Sequence, residues 1–232
     1  CCFKISWLFR VIHERTDPKK GDLRIILLGK TGAGKSATGN TILARNAFKE
    51  TSEICEKQEG YVDGKNIVVF DTPGLFNVSI TKEQVKAEIE RCVEMSAPGP
   101  HVFLLVIKLG VRFTEEERNS VQWIQENFGE EALLRTIIVF THTDLLRGIS
   151  LEEYIRKSHF LPTLVDSCGG RYHSFNNEER NNQEVTKLLQ KINEIMREHG
   201  KKINALRRAN GRHYTPEMYR KIQTENTGKD RK

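Results

Sequence analysis

A doubly wound α/β domain with a mostly parallel sheet is the fold this sequence predicts, and three observations predict it. Short continuous apolar runs alternate with amphipathic stretches along residues 22–200, as in a chain of βαβ units. The first apolar run leads straight into Gly29-Lys30-Thr31-Gly32-Ala33-Gly34-Lys35-Ser36, a G-x-x-x-x-G-K-S string, which requires a strand before it and a helix after it. Asp63-Gly64 is a hairpin signal and supplies one antiparallel edge strand.

Each element follows in order. Strands are expected at 23–29, 58–62, 66–71, 101–107, 136–141 and 171–175. Apart from the hairpin strand, they are mostly continuous apolar runs, as strands buried on both faces must be. Helices are expected near 35–44, 82–96, 115–128, 151–167 and 184–199, with Thr114 capping the third and Glu117 closing a capping box. Residues 1–21 read as a flexible leader, 22–200 as one domain, and 201–232 as a basic helical or partly disordered extension.

Composition bounds the class. With 38% hydrophobic and 29% charged residues among 232, the chain has enough apolar matter for one sizeable core. No apolar stretch approaches the ~20 residues of a membrane-spanning helix. Cys1 to Arg10 lacks a small-residue cleavage site, and with no initiator Met the chain reads as a fragment. Five scattered cysteines favour a reducing compartment over a disulfide framework, so a cytoplasmic location is expected. From Arg197 onward eleven Lys and Arg stand against four Asp and Glu, a net +7, so the rest of this +6 chain carries −1. Such a tail suits peripheral contact with anionic intracellular membranes, and equally a solvated helix. The basic residues show no aromatic pattern that would suggest base stacking, so nucleic acid is not an expected partner.

The motifs carry chemistry. In the glycine loop, backbone N–H groups from Gly29, Thr31, Gly32, Ala33 and Gly34 and from the helix start at Lys35, Ser36 and Ala37 turn onto a di- or triphosphate. Lys35 reaches the outer phosphates and Ser36 ligates Mg2+. The next apolar strand ends in Asp71-Thr72-Pro73-Gly74. Asp71 holds Mg2+ through water, and the Gly74 N–H senses a γ-phosphate. A fourth strand ends in Thr141-His142-Thr143-Asp144. One carboxylate, Asp144, accepts both N1–H and N2–H2 of guanine and rejects adenine, a discrimination of roughly 10⁴. Thr141 and His142 stand where N-K-x-D would place Asn and Lys; the His142 ring suits covering the base, and a plain helix cap at Asp144 is the alternative. Asn176 and Asn177 follow the last strand, where guanine O6 and the ribose belong.

With these motifs in order, the chain closely resembles the GIMAP family of immune-associated nucleotide-binding GTPases, relatives of septins and chloroplast import receptors, over roughly residues 22–200. The family's loop continues, as here, into Gly39-Asn40-Thr41-Ile42-Leu43. Its box matches Ser96-Ala97-Pro98-Gly99-Pro100-His101-Val102-Phe103-Leu104-Leu105-Val106, then Leu109-Gly110 and Arg112-Phe113-Thr114-Glu115-Glu116-Glu117. The resemblance implies a P-loop G domain with a helical C-terminal extension. It also implies GTP and GDP with Mg2+ as cofactors, and a homodimer or oligomer formed through the G domain. Arg112 would then act across that interface, and Lys35 and Thr72 complete the catalytic candidates; a plain surface charge is the alternative for Arg112. Three departures stand out, one being that the extension is displaced, with additional helix-like residues at 197–210. The segment between Phe48 and Cys55 is short, which leaves Ser52 or Thr51 as the switch hydroxyl for Mg2+, and Val111 is an extra residue in the box.

Leu75 and Phe76 occupy the positions after Gly74 where Ras-like enzymes carry a water-orienting Gln. Slow hydrolysis by the monomer follows as an expectation. A non-catalytic GTP-locked scaffold on a membrane is the alternative. A P-loop small-molecule kinase would need an arginine-rich lid, which the sequence does not display.

Overall fold

The computed structural model describes residues 21–49, 53–77, 81–110, 115–179 and 181–204. Ser52, Thr51, Arg112, Thr114 and the extension beyond 204 lie outside the described residues. Among the described residues six strands form one sheet in the order β2-β3-β1-β4-β5-β6. They are β1 Leu23–Gly29, β2 Glu56–Val62, β3 Lys65–Asp71, β4 Val102–Lys108, β5 Thr136–Thr141 and β6 Tyr172–Phe175. Of the strand pairs among the described residues, β2–β3 alone is antiparallel, in the register Glu56 opposite Asp71. The Asp63-Gly64 turn makes it, with both residues at positive φ.

Helices cover both faces. These are α1 Lys35–Ile42, α2 Lys82–Met95, α3 Glu115–Phe128, the short α4 Glu130–Leu133, α5 Leu151–Lys157, α6 Leu161–Ser167 and α7 Asn182–Asn204. Because successive side chains of a strand point to opposite faces, β1 splits between two cores. Ile26 and Leu28 join Ile89 and Ile124 of α2 and α3; Ile25 and Leu27 join Ile42 and Leu188 of α1 and α7. All of these are fully buried, each contributing about 1.5–3 kcal/mol relative to exposure. Ile26→Asp would place a charge in the first core and break the sheet at its centre.

The strand and helix expectations hold within a residue or two, except that the helix expected at 184–199 spans Asn182–Asn204 and for the differences that follow. The helix expected over 151–167 is two helices. Ser158 ends α5 in an extended conformation, its hydroxyl accepts from the Phe160 and Leu161 amides, and Pro162 sits in the first turn of α6, where its missing N–H costs nothing. The first helix stops at Ile42 because Ala44 turns to φ 53. A capping box occurs at Thr81 and Gln84 of α2, which the sequence reading passed over. The cysteine expectation is corrected too: Cys55, just before β2, is disulfide-bonded to Cys92 of α2. Nothing in the spacing of two cysteines 37 residues apart announces that contact.

The strand order places the site. β1 lies between β3 and β4, so the chain leaves its carboxyl end at the point where the order reverses, and ligands of such sheets sit there.

Candidate nucleotide site

The loop between β1 and α1 is shaped by what its glycines permit. A Cβ on Gly29 would lie 2.4 Å from the Val106 carbonyl oxygen, so no other residue fits where β1 passes β4. Gly34 takes φ 94 and serves as the N-cap of α1 without a side chain to cap it. The first-turn amides of α1, Lys35, Ser36 and Ala37, therefore have no side-chain partner at the cap, and the helix dipole favours an anion there. Gly32, at φ 77, borders open space. Ala33 is buried, and its carbonyl accepts from the Thr141 hydroxyl at 2.8 Å. That bond ties the phosphate loop to the end of β5.

Lys35 is buried and donates from Nζ to the Lys30 carbonyl at 3.2 Å. Burial pushes its pKa down, and Asp71 pulls it back. Ser36 Oγ donates to Asp71 Oδ2 at 2.5 Å. Asp71 is 1% exposed, and its other oxygen, Oδ1, is buried without a hydrogen-bond partner. Burial raises the Asp71 pKa, against the Ser36 hydrogen bond and the Lys35 charge. A desolvated carboxylate with one spare oxygen beside a hydroxyl is an electrostatic deficit that a divalent cation corrects. Ser36 and Asp71 therefore fit Mg2+.

The Asp71-Thr72-Pro73-Gly74 segment is docked on the loop. The Leu75 amide donates to the Gly29 carbonyl at 2.9 Å, and Lys30 bridges Leu75 in parallel. A Cβ on Gly74 would fall 2.0 Å from Thr31 Oγ1, so this glycine is required by contact with the loop. Thr72 faces the other way. It is buried, and its hydroxyl donates to the Leu27 carbonyl at 2.7 Å; the side chain holds β3 to β1 and does not point at the loop's outer face. Leu75 is buried in the core, and Phe76, at φ 62, packs against it.

At the base end, His142 adopts φ 60 and ψ 49, an αL conformation uncommon outside glycine. Its Nδ1 lies 3.0 Å from Thr141 Oγ1. Burial lowers the His142 pKa, with the Lys108 charge adding to it. Asp144 is exposed on the 3-10 turn Thr143–Leu146. Asn176 accepts the Glu178 amide at its Oδ1 and so shapes its own turn. Asn177 reaches under α1: Oδ1 accepts from Thr41 Oγ1 at 2.9 Å, and Nδ2 donates to Thr38 Oγ1 at 3.3 Å. The structure thus gathers the loop, Asp71, Gly74, His142, Asp144 and the two asparagines at the carboxyl end of the sheet.

Sequence reasoning missed three supports. Asn40 Oδ1 accepts both the Ala47 and Phe48 amides at 2.7 Å, fixing the start of the segment toward Ser52. Lys30 of the loop pairs with Glu116 of α3, bringing the end of the family box to the phosphate loop. The front of that box lies at the opposite end of the sheet, where Arg24 Nε donates to the Gly99 carbonyl at 2.7 Å and the Arg24 amide to His101 Nδ1 at 3.0 Å. The Asn40 and box residues were visible as family strings, but their partners were not. Among the described residues no helix is long and apolar enough to cross a membrane.

Known proteins match this arrangement. Human GTPase IMAP family member 8 is 38% identical over 189 residues, covering 77% of this chain and 28% of the relative. Arabidopsis thaliana immune-associated nucleotide-binding protein 8 is 34% identical over 214 residues, covering 87% and 59%. The chain thus spans about a quarter and just under three fifths of those relatives. Among solved structures, Toc33 from Arabidopsis thaliana in complex with Mg2+ and GMPPNP superposes with a TM-score of 0.54 at 22% identity over 75% of this chain and 76% of that one. A further structure, with a TM-score of 0.54 at 21% identity and 75% of each chain covered, is described by the statement that dimerization is important for the GTPase activity of the chloroplast translocon components atToc33 and psToc159. Aquifex aeolicus Era bound to GDP.AlF4- gives a TM-score of 0.55 at 16% identity over 74% of this chain and 57% of that one. At these identities the structures establish the fold as that of a G domain. The AIG1 family model matches residues 23–232, and the chain belongs to the AIG1 family.

Proposed function

We propose that this chain binds GTP and GDP with Mg2+ and hydrolyses GTP slowly on its own, faster when two G domains pair. The observation that carries the reading is the buried Asp71 carboxylate, hydrogen-bonded to Ser36, near Lys35, with one oxygen unpartnered at the lip of a glycine loop. Mg2+ held by Ser36 and Asp71 would neutralise phosphate charge. The chain's own residues do the rest. Loop amides and Lys35 orient the phosphates, Gly74 packs against Thr31 so that its segment lies where an outer phosphate would be felt, and Asp144 selects guanine.

Slow turnover is supported by Leu75 and Phe76. Both pack into the core where a water-orienting side chain would stand, so the positioned charge must come from elsewhere. Arg112 precedes α3, whose Glu116 reaches the phosphate loop, and in Toc33 dimerization matters to activity. An arginine supplied across a dimer is worth about 10³–10⁵ in rate. The same apolar pair also favours a second reading, a GTP-locked scaffold with negligible turnover. An immune-associated switch role, and membrane contact through the basic tail, follow from the relatives' names and the sequence and belong to the proposal.

Titration with GTP and ATP, with and without Mg2+, tests the binding. Tight, Mg2+-dependent GTP binding with ATP at least about 100-fold weaker is expected; equal affinities would sink it. Turnover per molecule that rises with protein concentration, and is lost in Arg112→Ala, supports pairing. A flat, near-zero rate favours the scaffold.

A further inference from the structure

Cys55 and Cys92 join the residues that lead into β2 to α2, the helix that follows the Gly74 turn. Cys55 ends the stretch that leaves α1 and passes Ser52; the next residue, Glu56, stands opposite Asp71 in the sheet. Cys92 lies on the buried face of α2, the helix that follows Asp71-Thr72-Pro73-Gly74. The bond closes a 37-residue separation that contains β2, β3 and the Gly74 turn. Beside it, the Cys55 amide donates to Glu88 Oε2 of α2 at 2.8 Å. Cys55 is 3% exposed and Cys92 fully buried, but Ile54, directly before Cys55, is 57% exposed. The bond therefore sits one residue inside the surface.

We propose that Cys55–Cys92 is a reversible thiol-modification site that governs how readily the nucleotide leaves. The oxidant class is a small-molecule disulfide such as glutathione disulfide. The Cys55 thiolate attacks it and expels one thiolate. The Cys92 thiolate then attacks the mixed disulfide at Cys55 and expels the second. The two cysteines lose two electrons and two protons, and the oxidant becomes two thiols. A thiol of the same class reverses both steps. Oxidised, the bond ties the start of β2, whose Glu56 stands opposite Asp71, to α2, the helix after Gly74, and any step that needs them to separate slows. Reduced, only the Glu88 hydrogen bond and local packing remain. The effect on release rests on the nucleotide reading above; the bond itself does not. Linkage adds a reciprocal consequence: if the bonded form holds GDP more tightly, GDP raises the bonded fraction at a fixed redox ratio.

The full chain is equilibrated in glutathione mixtures of varied ratio with and without GDP, alkylated, digested and weighed. Release of a fluorescent GDP analogue is timed in the oxidised and reduced forms, and in Cys55→Ser and Cys92→Ala, either of which suffices if the other does not fold. The cross-linked Cys55–Cys92 peptide should be present under oxidising ratios and absent under reducing ones, and more abundant with GDP. Release should be about fivefold or more slower in the oxidised form, while either variant releases at the reduced rate whatever the ratio. Both thiols alkylated at every ratio, or a bond that persists through excess thiol, overturns the modification site. Equal release from both forms overturns its regulatory role. If the GDP analogue binds neither form, the nucleotide reading fails while the peptide masses still decide the site.

Discussion

At the phosphate end of the site, backbone shape and buried charge do the work. Gly29 and Gly74 have no room for a Cβ, and Lys35 and Asp71 are desolvated groups held among strand ends. At the base end the candidates are side chains on surface turns: Asp144 is exposed, His142 sits at positive φ, and Asn177 is occupied by α1. The difference is one of rigidity. A phosphate is recognised by amides that the fold must place anyway, whereas a base is recognised by side chains on turns that tolerate substitution. The GTPase signature is accordingly intact at one end and altered at the other, where Thr141 and His142 replace the usual Asn and Lys.

Lys35→Ala should produce the largest effect. Charge-assisted hydrogen bonds contribute about 1.5–3 kcal/mol each, so losing contact with two phosphate oxygens weakens Mg-GTP and Mg-GDP binding by at least about 100-fold. Isothermal titration measures it. Affinity unchanged within threefold, about 0.65 kcal/mol, would break the assignment of this end to phosphate.

Asp144→Asn comes next and tests the base end. Xanthine presents an acceptor where guanine presents N2–H2, and an Asn amide offers one donor and one acceptor. GTP affinity should fall by about 10²-fold and XTP affinity should rise to overtake it. If GTP keeps its lead, Asp144 is a turn residue and the guanine contact lies elsewhere.

The contrast between the two ends also marks what was readable in the sequence. β1 and β3 were legible because a strand buried on both faces must be a continuous apolar run, and the loop because its glycines and Lys35 act through local backbone. The Thr72 hydrogen bond was not legible because its acceptor, Leu27, lies a strand away. The contacts of Asn177 were not legible because its partners, Thr41 and Thr38, lie 136 and 139 residues off. The Cys55–Cys92 bond was missed for the same reason. Long-range partners of polar side chains leave no period or spacing in a chain; local backbone demands do. The break at Ser158 is the exception, since Pro162 signalled it and the apolar pattern of 151–167 overrode the signal.

Asn177→Ala sharpens the comparison with a smaller effect. Two hydrogen bonds to α1 are lost, about 1–2 kcal/mol of stability, so the thermal midpoint should drop by about 2–8 °C for a domain of this size. The ratio of GTP to ATP affinity should stay where it was. An unchanged midpoint with a collapsed ratio would mean that Asn177 turns to the base when nucleotide binds, and the base end would then be more built than its free structure suggests.

The smallest effect is expected from the titration of His142. Burial and the nearby Lys108 hold its folded pKa below the ordinary value of 6.5. As pH falls from 7.5, the unfolded chain takes up this proton first, so the His142 contribution to stability is present above pH 6.5 and is lost as pH drops from there through the folded pKa. Other groups titrate in the same window, His173 among them, so the measurement is a difference: thermal midpoints of wild type and His142→Gln at pH 7.5 and 5.5. Wild type should lose more than the variant over that interval, and the gap should widen when GDP is bound, because a base covering the ring removes more water from it and depresses the pKa further. Equal losses in the two proteins would remove His142 from any buried setting. A gap that GDP leaves unchanged would place the base elsewhere on the turn and leave Asp144 to hold guanine alone.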